Sequence, residues 1–238
     1  MDALDRLAPP AADLLARVDD TLVRCGAPPE HPVWPLLRRL RALPGEAVAA
    51  IAAASPAPLD AAGAALRRLD EGYAQAYAAL PAEIEGWRGV GAESFAAQWT
   101  ALRTHLGEDL AERLRDTRSF VAAVERWARD TRAALARTLA VVLTSAEAVV
   151  VRAAVAPTDV SAAPAVPGDD GPAAGPAAPD VVRAAADIAA RVLRTLAEAY
   201  DRGAALLDEW APRLDEVAYR APAQVSPAGI ETTTEVTF

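Results

Sequence analysis

Residues 66–89 read LRRLDEGYAQAYAALPAEIEGWRG, and this stretch decides the fold. Its large apolar side chains recur at spacings of three and four residues, which is the period of one face of an α-helix. The Arg, Asp and Glu residues between them give the other face the mixed charge of a solvated helix surface. Gly89 follows, and glycine accepts a positive φ at a chain reversal without strain. The pattern predicts a long amphipathic helix from about Leu59 and a turn after it.

A second helix is predicted after the turn, because the same apolar period resumes at Phe95 and continues beyond Leu139. Two such helices joined by a tight turn make an antiparallel hairpin, with Trp87 and Gly89 as its turn motif. Three successive four-residue steps from Leu102 to Leu114 depart from a heptad repeat, and Gly107 lies within them. The residues predicted to pack between the two helices are Leu66, Leu69, Tyr73, Tyr77, Leu80, Ile84, Phe95, Trp99, Leu102 and Leu106.

Prolines and glycines divide the rest of the chain. The predicted segments are an N-terminal arm of short helices (1–58, with Pro9-Pro10 opening the first), the hairpin (59–156), a Pro/Gly/Ala-rich linker (157–179), a long C-terminal helix (180–220) and a flexible tail (221–238). Residues 139–154 are apolar on more than one side, so they are expected to lie between the N-terminal arm and the C-terminal helix, although a partner or a lipid surface could cover them instead. The predicted fold is all-α and resembles a bundle or coiled coil.

The charge pattern argues against nucleic acid as a partner. The chain of 238 residues has 24 basic and 33 acidic residues, a net charge of -9, and it contains no lysine. Its arginines alternate with Asp and Glu, so there is no basic surface for a phosphate backbone to follow. The longest hydrophobic stretch is interrupted by charges, and no transmembrane segment or signal peptide is expected.

Catalytic patterns are lacking in the sequence. His31 and His105 are the only two histidines, and they are far apart and without a cluster of acidic residues or cysteines around them. Cys25 is the single cysteine, and it is expected to be a small buried hydrophobe rather than a reactive thiol. The chain is therefore interpreted as a protein with no enzymatic activity, no metal site and no cofactor.

The turn and its surroundings resemble a known family. Trp87-x-Gly89 followed by Ala92, Phe95 and Trp99, between two long amphipathic helices, is similar to the WXG family of small helical-hairpin proteins. The resemblance covers roughly residues 59–143 and implies a substrate or partner of the type VII (ESX) secretion system of actinobacteria and firmicutes. A Tyr-x-x-x-Asp/Glu export signal, which the family or one partner of each pair carries, is absent from this sequence.

Two functional readings follow. The first is a non-enzymatic type VII substrate or pairing module, cytoplasmic before export and then secreted or surface-bound. The resemblance implies that it forms a homo- or heterodimer with another helical hairpin, and that a type VII secretion ATPase is a further partner. The second is a cytoplasmic scaffolding coiled coil in which the Trp-x-Gly turn is only a tight reversal.

Overall fold

The computed structural model of the chain describes residues 2–82, 86, 88–154 and 178–214. These residues form helices and connecting turns without a β-strand, so the all-α prediction is confirmed. The linker predicted at 157–179, apart from its end, and the tail predicted at 221–238 lie outside the described residues. The helices are α1 Ala3–Cys25, α2 Val33–Leu40, α3 Pro44–Ala53, α4 Ala57–Ala78, α5 Val90–Thr104, α6 Ala111–Leu143, α7 Ala146–Ala153 and α8 Pro179–Trp210. A π-helical turn, His105–Leu110, joins α5 to α6, and a 3-10 turn, Ala211–Leu214, follows α8.

The chain forms two compact units whose limits differ from the predicted segments. Unit 1 combines residues 1–60 with 123–208, and unit 2 combines residues 61–122 with 209–238. The predicted hairpin, 59–156, is divided between the two units, because the second half of α6 shares its core with α1 rather than with α4. The predicted N-terminal arm is likewise part of the main core of unit 1 and not a separate appendage.

The core of unit 1 is built from the apolar faces of α1, the second half of α6, α7 and α8, to which α2 and α3 add Val33 and Val48. Leu14 and Val18 of α1, Leu139 of α6 and Ile188 of α8 are all fully buried in one cluster. Val151 of α7 is 2% exposed in the same cluster. One side of residues 139–154 therefore packs against the N-terminal and C-terminal helices of the same chain, as expected, whereas the expectation that their other apolar side is covered as well is wrong in this structure.

The apolar stretch 139–154 is nevertheless not one helix. α6 ends at Leu143, and Ser145 starts α7 by accepting a hydrogen bond from the amide of Ala148. The two helices are bent by 64° at this break. Each helix therefore buries one side and exposes another, with Val141 60% and Val149 64% exposed. The break falls at Ser145 because serine is a favoured N-cap and starts the new helix α7 there.

Helix α1 begins before the two prolines that were expected to open it. Asp2 and Asp5 form a capping box with reciprocal backbone bonds of 3.0 and 2.7 Å, so the helix starts at Ala3. Pro9 and Pro10 lie inside α1 on its exposed side. Each proline lacks the N–H that would donate a hydrogen bond within the helix, and this costs stability. The cost is offset by burial of Leu4, which has no exposed surface and which enters the core only because the helix begins before the prolines.

Arg132, in the interior of α6, joins the N-terminus of α1 to the C-terminus of α3 in unit 1. Its side chain is 6% exposed, and it donates to Asp2 at 2.6 Å and to Asp5 at 2.5 Å, next to the N-terminus of α1. It also donates to the carbonyls at the C-terminus of α3, with the shortest bond, 2.7 Å, to Ile51. A buried guanidinium is tolerated because all of these acceptors surround it.

Asp19 of α1 caps the N-terminus of α3. Both carboxylate oxygens lie 3.1 Å from the amide of Gly45, near the start of α3, where helix amides lack a partner within the helix. A Cβ at Gly45 would collide with this carboxylate, so the contact requires glycine. Burial nevertheless raises the pKa of Asp19 to about 6, and the nearby charge of Glu46 adds to the effect.

Asp19→Asn is expected to stabilise the protein at neutral pH. Because the folded-state pKa lies above the ordinary value of 3.8, the native protein loses stability as the pH rises from 3.8 to about 6. The amide cannot ionise and keeps an oxygen for Gly45, so we expect a gain of about 1–2 kcal/mol at roughly pH 7.5 that vanishes near pH 4.

Thermal unfolding followed by circular dichroism across this pH range measures the effect. Asp20→Asn is the matched control, since Asp20 is exposed and paired with Arg24 on the same helix. A gain that does not depend on pH would contradict the assigned cause.

Candidate protein-interaction surface

The turn between α4 and α5 uses glycine for its backbone conformation. Gly89 is the N-cap of α5 with φ 104° and ψ 177°, a region that side chains with a Cβ essentially do not enter. Gly86 also has a positive φ, 84°. The Gly89 carbonyl accepts the amides of Ala92 and Glu93 at 2.9 and 3.1 Å and so begins the helix. Trp87, the other member of the predicted turn motif, lies outside the described residues.

Gly89→Ala is expected to destabilise the turn by about 1–3 kcal/mol, because the strain arises from φ alone. A Cβ at Gly89 would meet no atom within 4 Å, so steric collision does not contribute. Gly72→Ala is the matched control: it lies within α4 and is equally open. There alanine should raise helix stability by up to about 1 kcal/mol. The thermal unfolding temperature should fall for Gly89→Ala and rise for Gly72→Ala. Equal changes in the two variants would show that the backbone conformation of Gly89 is not the cause.

Polar side chains connect α4 to the chain that follows the turn. Arg103 donates to the carbonyls of Leu80 and Pro81 at 2.9 and 2.6 Å and thereby satisfies acceptors just beyond the end of α4. Trp99 donates to Pro81 at 3.1 Å, and Asp70 pairs with Arg118 at 2.6 Å. Residues later in the first segment bond to residues earlier in the second: Pro81 bonds to Trp99, and Asp70 bonds to Arg118. This reversed order is the one that antiparallel helices give.

A π-helical turn occupies the stretch with the four-residue steps. Residues spaced by four positions move gradually around the surface of an α-helix, because its turn holds only 3.6 residues. A π turn has hydrogen bonds between residues i and i+5 and a wider turn, so it keeps such residues on one face. Tyr73 donates to the carbonyl of Leu106 at 2.5 Å, and Tyr77 donates to the carbonyl of Arg103 at 3.3 Å. Tyr77 lies directly against Gly107, where a Cβ would collide with its hydroxyl. The turn is therefore held by two hydroxyls from α4, and burial raises the pKa of Tyr73.

The residues predicted to pack between the helices are only partly covered. Leu69 is 56% exposed and Phe95 is 38% exposed, and Phe95 stacks on Trp99 at 6.5 Å between ring centroids. α4 contains one buried residue, Gly63, and α5 contains none. Ile84 lies outside the described residues. The remaining predicted packing residues are half-buried: Leu66, Tyr73, Tyr77, Leu80, Trp99, Leu102 and Leu106.

Exposed apolar side chains of unit 2 therefore define the candidate interaction surface at two places, Leu69 on α4 and, nearer the turn, Val90 and Phe95 on α5. Val90 is 59% exposed. Sequence spacing identified Leu69 and Phe95 as apolar positions on a helix face, but periodicity cannot tell whether a face is covered by the same chain or by a partner. Val90 was missed because it is the first residue of α5 and precedes the periodic pattern.

The C-terminal end of α8 also belongs to unit 2. Trp210 is 9% exposed and its ring lies 6.0 Å from that of Phe120. Arg113 donates to the carbonyl of Arg213 at 2.9 Å and also contacts the carbonyl of Leu214. This part of unit 2 is better covered than α5.

The histidines and the cysteine have structural surroundings. His31 accepts the amide of Val33 through Nδ1 at 3.2 Å, so Nε2 carries the proton toward Asp187, 3.0 Å away. His105 is buried in the π turn, with Nδ1 2.8 Å from Asp109. Cys25 is exposed, so the expectation of a buried thiol is wrong. It is the last residue of α1, where the chain leaves the core face at Gly26. Within the described ranges, no group of three His, Cys, Asp or Glu side chains is placed to hold a metal ion.

Length and composition alone would allow one described stretch, Pro44–Ala78, to cross a membrane. A second candidate arises if Val90–Leu143 and Ala146–Ala153 are taken together across their bend. Of the most hydrophobic 18 residues within Pro44–Ala78, only 6% are buried. The stretch is interrupted at Ala54, where the backbone is extended and α3 ends. The expectation of no transmembrane segment stays a prediction.

Comparisons of the chain with known protein families, with curated proteins and with solved structures give no match. The resemblance to the WXG family therefore depends on the turn residues and the flanking helices alone.

Proposed function

We propose that this chain is a non-enzymatic type VII secretion substrate or pairing module, and that it acts by packing unit 2 against a second helical hairpin. The observation that carries the proposal is the absence of any buried residue in α5. A helix of this length in water depends mainly on covering an apolar face rather than on intrinsic propensity. A partner that covers Leu69, Val90 and Phe95 would supply what this chain leaves open.

The chemistry of the surroundings fits a hairpin as that partner. Charged groups of both signs flank the exposed apolar positions on α4, with Arg67, Arg68 and Glu71 exposed. Mixed charges beside an apolar seam are the arrangement by which paired helices select one another. The polar bonds of Arg103 and Trp99 to Leu80 and Pro81 hold the two helices in register before a partner arrives. Stacked Phe95 and Trp99 lie next to the turn.

Native mass is the first measurement. We expect a dimer, or a heteromer after co-expression with the neighbouring reading frames, and we expect Leu69→Ser with Phe95→Ser to abolish it. Val141→Ser is the matched control, because Val141 is equally exposed but lies in unit 1. A monomer under all of these conditions would contradict pairing, and loss of pairing in the Val141 control would contradict the assigned surface.

Export is a separate step. The sequence lacks a Tyr-x-x-x-Asp/Glu signal, so a partner must supply it. We expect the chain in the culture medium only when a partner with that signal and the type VII ATPase are both present. A stable pair that stays in the cytoplasm under these conditions would favour the scaffolding function over secretion.

A further inference from the structure

A groove of about 640 Å³ runs between α1 and α3 in unit 1. Its walls are short side chains, Ala12 and Ala16 from α1 and Ala49 and Ala52 from α3. Buried Leu15 and Val48 form its floor. Because alanine projects only a methyl group, the two helices leave an open apolar channel between them. The volume lies in the range of ordinary small-molecule sites, which are mostly apolar with a few polar groups.

Carboxylates mark both ends of this groove. Asp19 and Glu46 lie among its lining residues at the N-terminus of α3, and Asp5 lies near the other end of that helix. Asp5 is paired with Arg132. Asp19 accepts the backbone amides of Gly45 and Glu46, and Glu46 accepts that of Leu43. Neither carboxylate forms an ion pair within the part of the chain that the structure describes. The lining residues include no basic side chain. One end of an apolar groove therefore carries two carboxylates with backbone amides, and no basic side chain among the lining residues, beside them.

We propose that this groove binds a cationic amphiphile, with its aliphatic chain along the alanine walls and its ammonium group at Asp19 and Glu46. An ammonium group offers the positive charge that these carboxylates lack, and its N–H groups can donate to the lone pairs that the backbone amides leave open. The raised pKa of Asp19 agrees with this assignment, because it reports burial of the carboxylate without enough compensation. An anionic amphiphile would bring like charge to the same end. The groove lies in unit 1, so this proposal does not depend on pairing through unit 2.

Calorimetric titration of the full chain with n-octylammonium tests the proposal, with octanoate, 1-octanol and n-butylammonium as comparisons. Each buried CH₂ strengthens binding about fourfold, so butylammonium, which is four CH₂ groups shorter, should bind roughly 250-fold more weakly than octylammonium. Octanoate should show no saturable binding, and octanol should bind more weakly than octylammonium by about tenfold. Equal binding of octanoate and octylammonium would overturn the proposal, and so would the absence of saturable binding by octylammonium.

Two variants separate the charge from the groove. Asp19→Asn keeps an acceptor for Gly45 and should weaken octylammonium about tenfold while leaving octanol unchanged. Ala16→Leu should fill the groove and abolish binding of both. The controls are Asp13→Asn, on α1 but outside the groove and paired with Arg17, and Ala140→Leu on an exposed position of α6. Circular dichroism verifies that each variant is folded. Unchanged binding in folded Ala16→Leu, or equal weakening in Asp13→Asn, would overturn the assignment.

Discussion

Replacing Arg132 with alanine is expected to lower the free energy of unfolding by about 3 kcal/mol, the largest effect of any polar substitution in unit 1. The guanidinium is 6% exposed, and it satisfies Asp2, Asp5 and the carbonyls at the end of α3 at once. Its removal leaves two carboxylates next to each other and the α3 carbonyls without a donor. Denaturant unfolding followed by circular dichroism measures the loss.

Arg129→Ala is the control for this prediction. Arg129 lies one turn earlier on α6, is 56% exposed and pairs with Asp60 and Glu125. A surface pair of this kind contributes at most about 1 kcal/mol. Similar losses in the two variants would show that burial of Arg132 is not the cause.

The effect of Arg132→Ala should also depend on pH. The hydrogen bond from Arg132 lowers the pKa of Asp2 from 3.8 to about 2. A lowered folded-state pKa stabilises the native state above 3.8, and this contribution is lost as the pH falls from about 4 toward 2. The difference between native and variant stability should therefore narrow over this window. A difference that stays constant would argue against ionised Asp2 as the partner.

Leu139→Ala is expected to cost about 3 kcal/mol, because Leu139 has no exposed surface and lies in the cluster that joins α1, α6 and α8. The loss combines the transfer free energy of the removed atoms with the cavity that remains. Val141→Ala, two residues further along α6 and 60% exposed, should change stability by less than about 0.5 kcal/mol. Chemical denaturation measures both, and a small loss for Leu139→Ala would mean that the second half of α6 is not part of the core.

Apolar periodicity was sufficient for the class of fold, but it placed the end of the first long helix too late, since α4 ends at Ala78. The spacing from Leu66 to Leu80 predicted a long helix, and the four-residue steps after Leu102 coincide with the π turn. The helix limits were less predictable, since Pro9 and Pro10 lie inside α1 rather than at its start. Their cost is offset by contacts that the local sequence does not reveal, namely the burial of Leu4 and the bonds of Asp2 to Arg132.

Which faces meet could not be predicted from local patterns. The apolar residues from Phe95 to Leu139 predict one helix that packs along its whole length against α4. The second half of that helix instead packs against α1, which lies more than a hundred residues away in sequence. The candidate surface was not predicted: Leu69 and Phe95 were expected to pack between the two helices, and their exposure depends on what α4 and α5 leave uncovered. Asp19 gave no signal in the sequence, because its surroundings are created by α3.

The arrangement of unit 1 sets the order in which the chain can fold during synthesis. Its first segment ends at residue 60, and its second segment begins at 123 and ends at 208. At about 5–20 residues per second, the ribosome needs roughly 7–30 s to add residues 61–208. During this interval Leu14 and Val18 of α1 have no α8 to pack against, whereas residues 61–122 already contain both sides of their own turn. Unit 1 consequently stays incomplete until α8 has emerged, and its apolar faces are exposed to aggregation until then.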